Sequence, residues 1–324
     1  MTARPASGYK WRMKKALAVL LMVLAFGLGA LALTFTAAKL PVPPLAETAL
    51  PKAAPPAEMT LSALPTGAMH SRAAFAYRGG RWGEARDFGM TAVLVHHPRG
   101  DLLFDTGFGR DVDRQAQGSP WLVRALSKYS KGTPAADQLA AGGYDARRLA
   151  GVVLTHVHWD HVSGLPDLPG VPVWIDEAER DFTNSGASMS ALARSFGALP
   201  YHVYRFEGGP YLGFPRSHDV WGDGSVVLVP APGHTPGSII AFIALPSGTR
   251  YALLGDLVWQ MEGLEIPAER PWLSRTLVDA DGGGARENIQ RMAAIHARFP
   301  DMRLVPSHDA HATEKLARFP AVER

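Results

Sequence analysis

Cysteine is absent from the 324 residues of this chain. Without it there are no disulfides, no thiolate nucleophile and no sulfur ligand for a metal, so metal chemistry has to be built from imidazole and carboxylate. A sustained charge of one sign is also missing. The formal charge is +3, but residues 1–40 hold Arg4, Lys10, Arg12, Lys14, Lys15 and Lys39 with no acid, which leaves 27 basic against 30 acidic residues in the remainder, a net of −3. The basic face through which proteins engage nucleic acid is therefore lacking, and no nucleic-acid partner is expected. Nor does any internal period mark a repeat array.

What the chain does have is a dense cluster of metal-binding side chains. Thr155-His156-Val157-His158-Trp159-Asp160-His161 packs three imidazoles and a carboxylate into six positions. A lone histidine is as often a core residue as a ligand, but titratable groups are rarely buried unpaired, and four together exceed what a core can satisfy. Neutral imidazole and carboxylate suit zinc and similar borderline ions in an open site that keeps a position for water. The apolar run Leu149-Ala150-Gly151-Val152-Val153-Leu154 in front of the cluster reads as a buried strand, which delivers the cluster to a strand end, where loops carry function.

Three more strand ends repeat the arrangement. Val226–Val229 leads into Pro232-Gly233-His234-Thr235-Pro236-Gly237; Leu253-Leu254-Gly255 ends at Asp256; Leu304-Val305-Pro306-Ser307 ends at His308. Each alone is a common turn. Their succession is not.

On these residues the chain resembles the metallo-β-lactamase-fold hydrolases: H-x-H-x-D-H at His156, His158, Asp160 and His161, the later His234, the bridging-type Asp256, the last His308, and an early Asp-Thr-Gly turn at Asp105-Thr106-Gly107. The resemblance implies a four-layered αβ/βα sandwich of the α/β class holding two divalent ions, for which zinc suits the donor set. His156, His158 and His234 would hold the first ion, Asp160, His161 and His308 the second, with Asp256 bridging. Two cations roughly 3.5–4 Å apart need such an anion between them, and a metal can lower the pKa of bound water from 15.7 to about 7. The implied reaction is hydroxide attack on a carbonyl carbon, with Asp160 also the catalytic proton handler. Asp105 is expected to orient a ligating histidine rather than to touch metal.

Within that family the chain looks most like the N-acyl-homoserine lactonases and other small-ester hydrolases, through Val93-Leu94-Val95-His96-His97-Pro98-Arg99-Gly100, the Gly-His-Thr-Pro-Gly loop and Ser307-His308-Asp309. The implied substrate is a small lactone or ester. Those lactonases carry a Tyr three residues after the bridging Asp; Trp259 stands there, and Tyr201, Tyr204 or Tyr211 would have to fill its role. Trp159, Trp221, Phe182 and Phe214 could line an acyl pocket. His70, His96, His97, His202, His218, His296 and His311 are left outside the site. Glyoxalase-type thioesterases share the ligand set, usually with a helical C-terminal domain where only a short tail follows His308. Mononuclear iron persulfide dioxygenases are a second alternative, separable by metal content.

The N-terminus carries a different signal. After a basic segment at 1–15, Ala16–Leu33 is 18 residues without a charge, about 27 Å as a helix and close to a bilayer's hydrocarbon thickness. Residues 16–38 are expected to be a transmembrane anchor or a signal peptide, Thr36-Ala37-Ala38 being small enough for a cleavage site. Either reading puts residues 59–324, one catalytic domain, on the exported side of the inner membrane, with membrane contact through the N-terminal segment. The Pro/Ala-rich linker at 39–58 is expected to be extended and to hold the domain off the membrane. In the domain, strands are expected at Ala73–Tyr77, Thr91–His96, Leu102–Phe104, Val171–Ile175, Val226–Val229, Ser238–Ala244, Tyr251–Leu254 and Arg303–Val305. Helices are expected at Trp121–Tyr129, Ala135–Ala141, Asp176–Phe182 with Asp176 as N-cap, and about Ala285–Phe299.

Overall fold

Short apolar runs become strands in two facing sheets. The computed structural model describes residues 7–118, 124 and 128–324. Its strands are β1 (Thr60–Arg72), β2 (Ala85–His96), β3 (Asp101–Phe104), β4 (Lys128–Lys131), β5 (Leu149–Val153), β6 (Val173–Asp176), β7 (Tyr201–Tyr204), β8 (His218–Asp219), β9 (Val226–Pro230), β10 (Ile239–Ala244), β11 (Arg250–Leu253) and β12 (Arg303–Val305). The first sheet has the order β4-β1-β2-β3-β5-β6-β7 and the second β12-β11-β10-β9-β8. In the first, β3 and β5 run parallel. In the second, β10 is antiparallel to both β9 and β11, and β12 is parallel to β11. The C-terminal ends of β9, β11 and β12 therefore share one rim.

Alternation along the strands splits the core into layers. On β10, Ile239, Ala241 and Ile243 face the first sheet, against Leu61, Val95, Leu102 and Val153, while Ile240 and Phe242 face outward onto Ile289, Met292 and Ile295 of the helix Gly282–Arg298. On the other flank, Leu103 and Val152 turn outward to Leu139 of the helix Ala135–Ala141. Each such Val, Leu, Ile, Phe or Met side chain, fully buried, contributes about 1.5–3 kcal/mol. Helix, sheet, sheet, helix is the four-layered αβ/βα sandwich the sequence implies.

Among the expected elements one is corrected and one lies mostly outside the described residues, and the strand β1 was not expected. Ala73–Tyr77 is not a strand: Ala73–Ala76 is one turn of helix, as its alanines favour. The helix expected at Trp121–Tyr129 falls largely on residues 121–123 and 125–127, outside the described residues, and Tyr129 itself is in β4. No strand is expected over β1 because Pro65 and Gly67 interrupt its pattern. They mark a bulge where the register shifts, and Gly67, at φ +150°, lies where an added Cβ would sit 2.5 Å from the Ser130 carbonyl oxygen.

The N-terminal helix spans Ser7–Leu33 and is uncharged and apolar from Ala16 to Leu33. Residues 39–58 are extended, as expected, yet they lie along the domain instead of holding it away. Leu40 N–H donates to the Pro267 carbonyl at 2.7 Å, Ala54 N–H to that of Asp223 at 2.8 Å, and Gln290 to that of Pro41 at 2.7 Å. Leu40, Leu45 and Leu50 pack onto the outer helix layer. Three leucines spaced along a stiff Pro/Ala segment give it an apolar edge to bury.

Candidate metal centre

The rim where β5, β9, β11 and β12 end is where the seven residues meet. His156 and His158 follow β5, and Asp160 and His161 sit on the single helical turn Trp159–Val162. His234, Asp256 and His308 come from the loops after β9, β11 and β12. All seven are buried. One nitrogen each from His156, His158 and His234 lie within 4.8 Å of one another, and the same bound holds for the trios His156, His161, Asp256 and Asp160, His161, His308. His161 Nε2 is 3.1 Å from Asp256 Oδ1, and His308 Nε2 is 3.1 Å from both Asp256 oxygens and 3.4 Å from Asp160 Oδ2.

Local backbone makes this convergence possible. Gly233, at φ +150°, crosses the start of the helix Gly282–Arg298 so closely that a Cβ would lie 2.3 Å from Ala285 N. Asp105 adopts φ +54°, a conformation that Asp tolerates better than most residues. That turn aims its carboxylate back at the cluster: Asp105 Oδ1 accepts from Thr155 N–H at 2.7 Å and Oδ2 lies 2.8 Å from His161 Nδ1. The role expected of Asp105, orienting a histidine, matches these contacts.

The other histidines are held in the same way. His234 Nδ1 is 2.8 Å from Asp279 Oδ1, and His308 Nδ1 is 2.9 Å from the Gly89 carbonyl. In each case the far nitrogen carries the contact, which fixes the tautomer and turns Nε2 inward.

The inward atoms lack protein partners that satisfy them. His156 Nε2, His234 Nε2 and Asp256 Oδ1 are fully buried and make no well-aligned hydrogen bond, the approaches of His161 and His308 to Asp256 Oδ1 at 3.1 Å being ion-pair contacts only. A buried polar atom without a partner costs about 1–3 kcal/mol, so three around one point call for an occupant. Imidazole nitrogens and carboxylate oxygens are a fitting donor set for a pair of divalent ions. The protonation tendencies agree in part. Burial, reinforced by neighbouring imidazoles, pushes His156 and His158 well below the ordinary range and leaves them neutral. For His161, burial opposes the charge but Asp105 and Asp256 outweigh it and raise the pKa well above normal. For Asp256, burial is outweighed by His308 and His161, so the carboxylate stays ionised.

An open cleft leads to this centre. His158, Asp160, His234, Asp256 and His308 form its floor, and Met69, Phe75, Trp159, Trp259, Leu273 and Leu277 contribute apolar wall. Of the four aromatics considered for an acyl pocket, only Trp159 is there. Phe182 packs under the first sheet, Phe214 is buried beneath the second, and Trp221 stacks on His97 at 3.7 Å. Tyr201, Tyr204 and Tyr211 are likewise outside the lining, because β7 lies at the far edge of the first sheet and Tyr211 packs on Phe242. Trp259 does line the cleft, and its indole N–H donates to Asp256 Oδ2 at 2.8 Å. None of the seven histidines set aside joins the cluster.

Sequence reasoning missed two carboxylates. Asp279 has no motif around it. Glu179 stands three residues after the N-cap Asp176, where a Glu ordinarily reaches back to the cap. Its carboxylate instead accepts from Val157 N–H at 2.7 Å, Thr235 Oγ1 at 2.7 Å and Gly237 N–H at 2.9 Å. It ties the His156/His158 loop to the His234 loop, and burial pushes its pKa up to about 7.

The fold and this site define a class, and comparison agrees: the chain belongs to the metallo-beta-lactamase superfamily, whose family profile matches residues 85–308. It is 30% identical over 230 residues to a probable metallo-hydrolase of Mycobacterium tuberculosis, covering 67% of this chain and 73% of that one. It is 24% identical over 236 residues to the N-acyl homoserine lactonase AttM of Agrobacterium fabrum, covering 70% and 84%. Among solved structures, an N-acyl homoserine lactone hydrolase with the product N-hexanoyl-L-homoserine at its catalytic metal centre superposes with a TM-score of 0.65 at 18% identity, over 82% of this chain and 98% of that one. The chain is a metallo-hydrolase of this superfamily related to the lactonases.

Proposed function

We propose that the chain is a dinuclear, zinc-type hydrolase of lactones or other small carboxylic esters. The observation that carries the reading is the set of buried, unpartnered atoms of His156, His234 and Asp256 at the end of a largely apolar cleft. The trio His156, His158 and His234 would hold one ion, Asp160, His161 and His308 the other, and Asp256 both. When bound, the ions would supply Lewis acidity toward a carbonyl oxygen and a water acidic enough to attack at neutral pH.

The remaining roles fall to the chain's own groups. Asp160 lines the cleft with Oδ2 on the His308 side, placed to take a proton from water and return it to the departing alkoxide. Trp259 spends its N–H on Asp256, so it holds the bridging carboxylate and packs against substrate rather than donating to it. The apolar wall accommodates an acyl chain and excludes bulk water.

We further propose the division into a basic segment 1–15, a membrane anchor within 16–38, a linker 39–58 and a catalytic domain 59–324 on the exported side. Retention of the anchor is supported by Phe35, buried beside Phe75 and Trp82, and by Gly79 N–H donating to the Phe35 carbonyl at 3.0 Å. Cleavage after Ala38 would discard a residue that packs into the domain.

The test is a hydrolysis panel of lactones, aryl esters, thioesters and β-lactams on the metal-loaded protein. Turnover concentrated on lactones and oxygen esters is expected. Turnover confined to thioesters or β-lactams, or on none of the four, would overturn the assignment.

A further inference from the structure

The apolar wall of the cleft does not end at its mouth. Phe75 belongs to the wall, and its ring meets Phe35 edge-on at 6.0 Å and Trp82 edge-on at 5.2 Å, with Phe35 and Trp82 themselves 4.7 Å apart. Phe35 lies two residues beyond Leu33, the last residue of the apolar helix. One aromatic ring thus links the inside of the cleft to the point where a helix of membrane-spanning length leaves the domain.

A second element frames the same mouth. The helix Trp272–Val278 is tied to this segment by the Ser274 hydroxyl, which donates to the Phe75 carbonyl at 2.8 Å. Leu273 and Leu277 face the cleft, whereas Trp272 at the start of the helix is 48% exposed and Trp82 is 56% exposed. Exposed indoles on a folded domain carry a solvation cost unless something covers them, and an indole ring with a hydrated N–H is suited to the headgroup boundary of a bilayer. Basic groups stand beside them. Arg78 is spent on the Thr36 and Leu33 carbonyls at 3.2 and 3.3 Å and on Glu269 at 3.7 Å, whereas Arg81 and Lys39 are exposed, as anionic lipid would favour.

We propose that this face rests on the lipid surface and that the cleft opens onto the bilayer, so that its substrate is an acylated amphiphile entering sideways from the leaflet. The acyl chain passes Phe75 and Leu277 while the carbonyl reaches the metal centre. A chain already in lipid need not cross water to enter, so its CH₂ groups are never exposed on the way. The inference rests on the preceding reading of the protein as an anchored hydrolase.

Two measurements on the full chain in phosphatidylcholine–phosphatidylglycerol vesicles test it, and the first needs no turnover. With phosphatidylcholine brominated along its acyl chains as quencher, the emission component lost in Trp272→Phe should be a quenched one. If that component is unquenched, the face is not on lipid and the proposal falls. The second compares dodecanoyl with butanoyl esters and lactones. The ratio of their kcat/KM values should rise roughly tenfold between detergent and vesicles, and Trp272→Glu should return it to the detergent value with butanoyl turnover unchanged. A quenched Trp272 with an identical ratio in both media would place the face on lipid but the substrate in water, which also overturns lateral entry. Absence of turnover on every ester and lactone would instead defeat the hydrolase assignment, while the quenching result still decides the lipid contact.

Discussion

Asp279 is the sharpest place to perturb the centre without touching a proposed ligand. Its Oδ1 is 2.8 Å from His234 Nδ1, and Arg270 Nη2 lies 3.5 Å from that same oxygen and 3.2 Å from His234 Nδ1. Both Asp279 and Arg270 side chains are nearly inaccessible, at 5% and 2% exposure. Asp279→Asn keeps the shape but removes the charge. His234 loses the partner that orients it, and a buried guanidinium is left less compensated next to an imidazole proposed to bind a cation. Substitutions of this kind cost roughly 10–100-fold in metal affinity, or about 1.4–2.7 kcal/mol. Chelator-competition titration resolves the two binding steps, and the loss should fall on the ion held by His156, His158 and His234. Asp105→Asn, at a left-handed position that Asn also tolerates, should weaken the ion held by Asp160, His161 and His308 instead. Unchanged affinity for both ions in Asp279→Asn would refute the reasoning.

Other outcomes follow from the same contacts. His158→Ala and Asp256→Ala should each remove metal and activity together, since a vacancy weakens both ions through the shared bridge, whereas His311→Ala, outside the cluster, should leave both within experimental error by metal analysis and steady-state kinetics. Glu179→Ala strands three donors, at Val157, Thr235 and Gly237; urea denaturation should show a loss of about 2–4 kcal/mol, and wild-type stability would contradict its role as a tie between loops. Trp259→Phe keeps the ring and deletes the N–H on Asp256, so kcat should fall roughly 10–100-fold, as for a lost hydrogen bond to a charged group. Intact mass of the protein recovered from membranes should include residues 16–38; a mature chain beginning at 39 would mean that the segment is a cleaved signal peptide.

The site was more legible in the sequence than the walls around it. His156 through His308 could be read because a ligand must be one of a few residue types, and because each follows an apolar run that ends at a strand tip. The layered sandwich was legible for the related reason that runs such as Ile239–Ala244 are buried on both faces. The cleft walls are built from Phe75, Leu273 and Leu277, ordinary apolar residues whose placement depends on tertiary packing, and no spacing rule marks them. Phe182, Phe214 and Trp221 carried the same compositional signal and went into cores instead. Glu179 was hidden by its position, since a Glu three residues after an N-cap already has a local explanation. The linker misled through composition: proline and alanine indicate stiffness, but Leu40, Leu45 and Leu50 decide where the stiff segment lies.

The central claim is that two metal ions share Asp256. The direct measurement is the metal content of the purified full chain by mass spectrometry, followed by removal of metal and stepwise return of zinc while lactone and ester hydrolysis is monitored. Two zinc-type ions per chain, with activity regained only as the second equivalent binds, is the predicted result. A single iron per chain, or full hydrolytic activity at one equivalent of zinc, would contradict it.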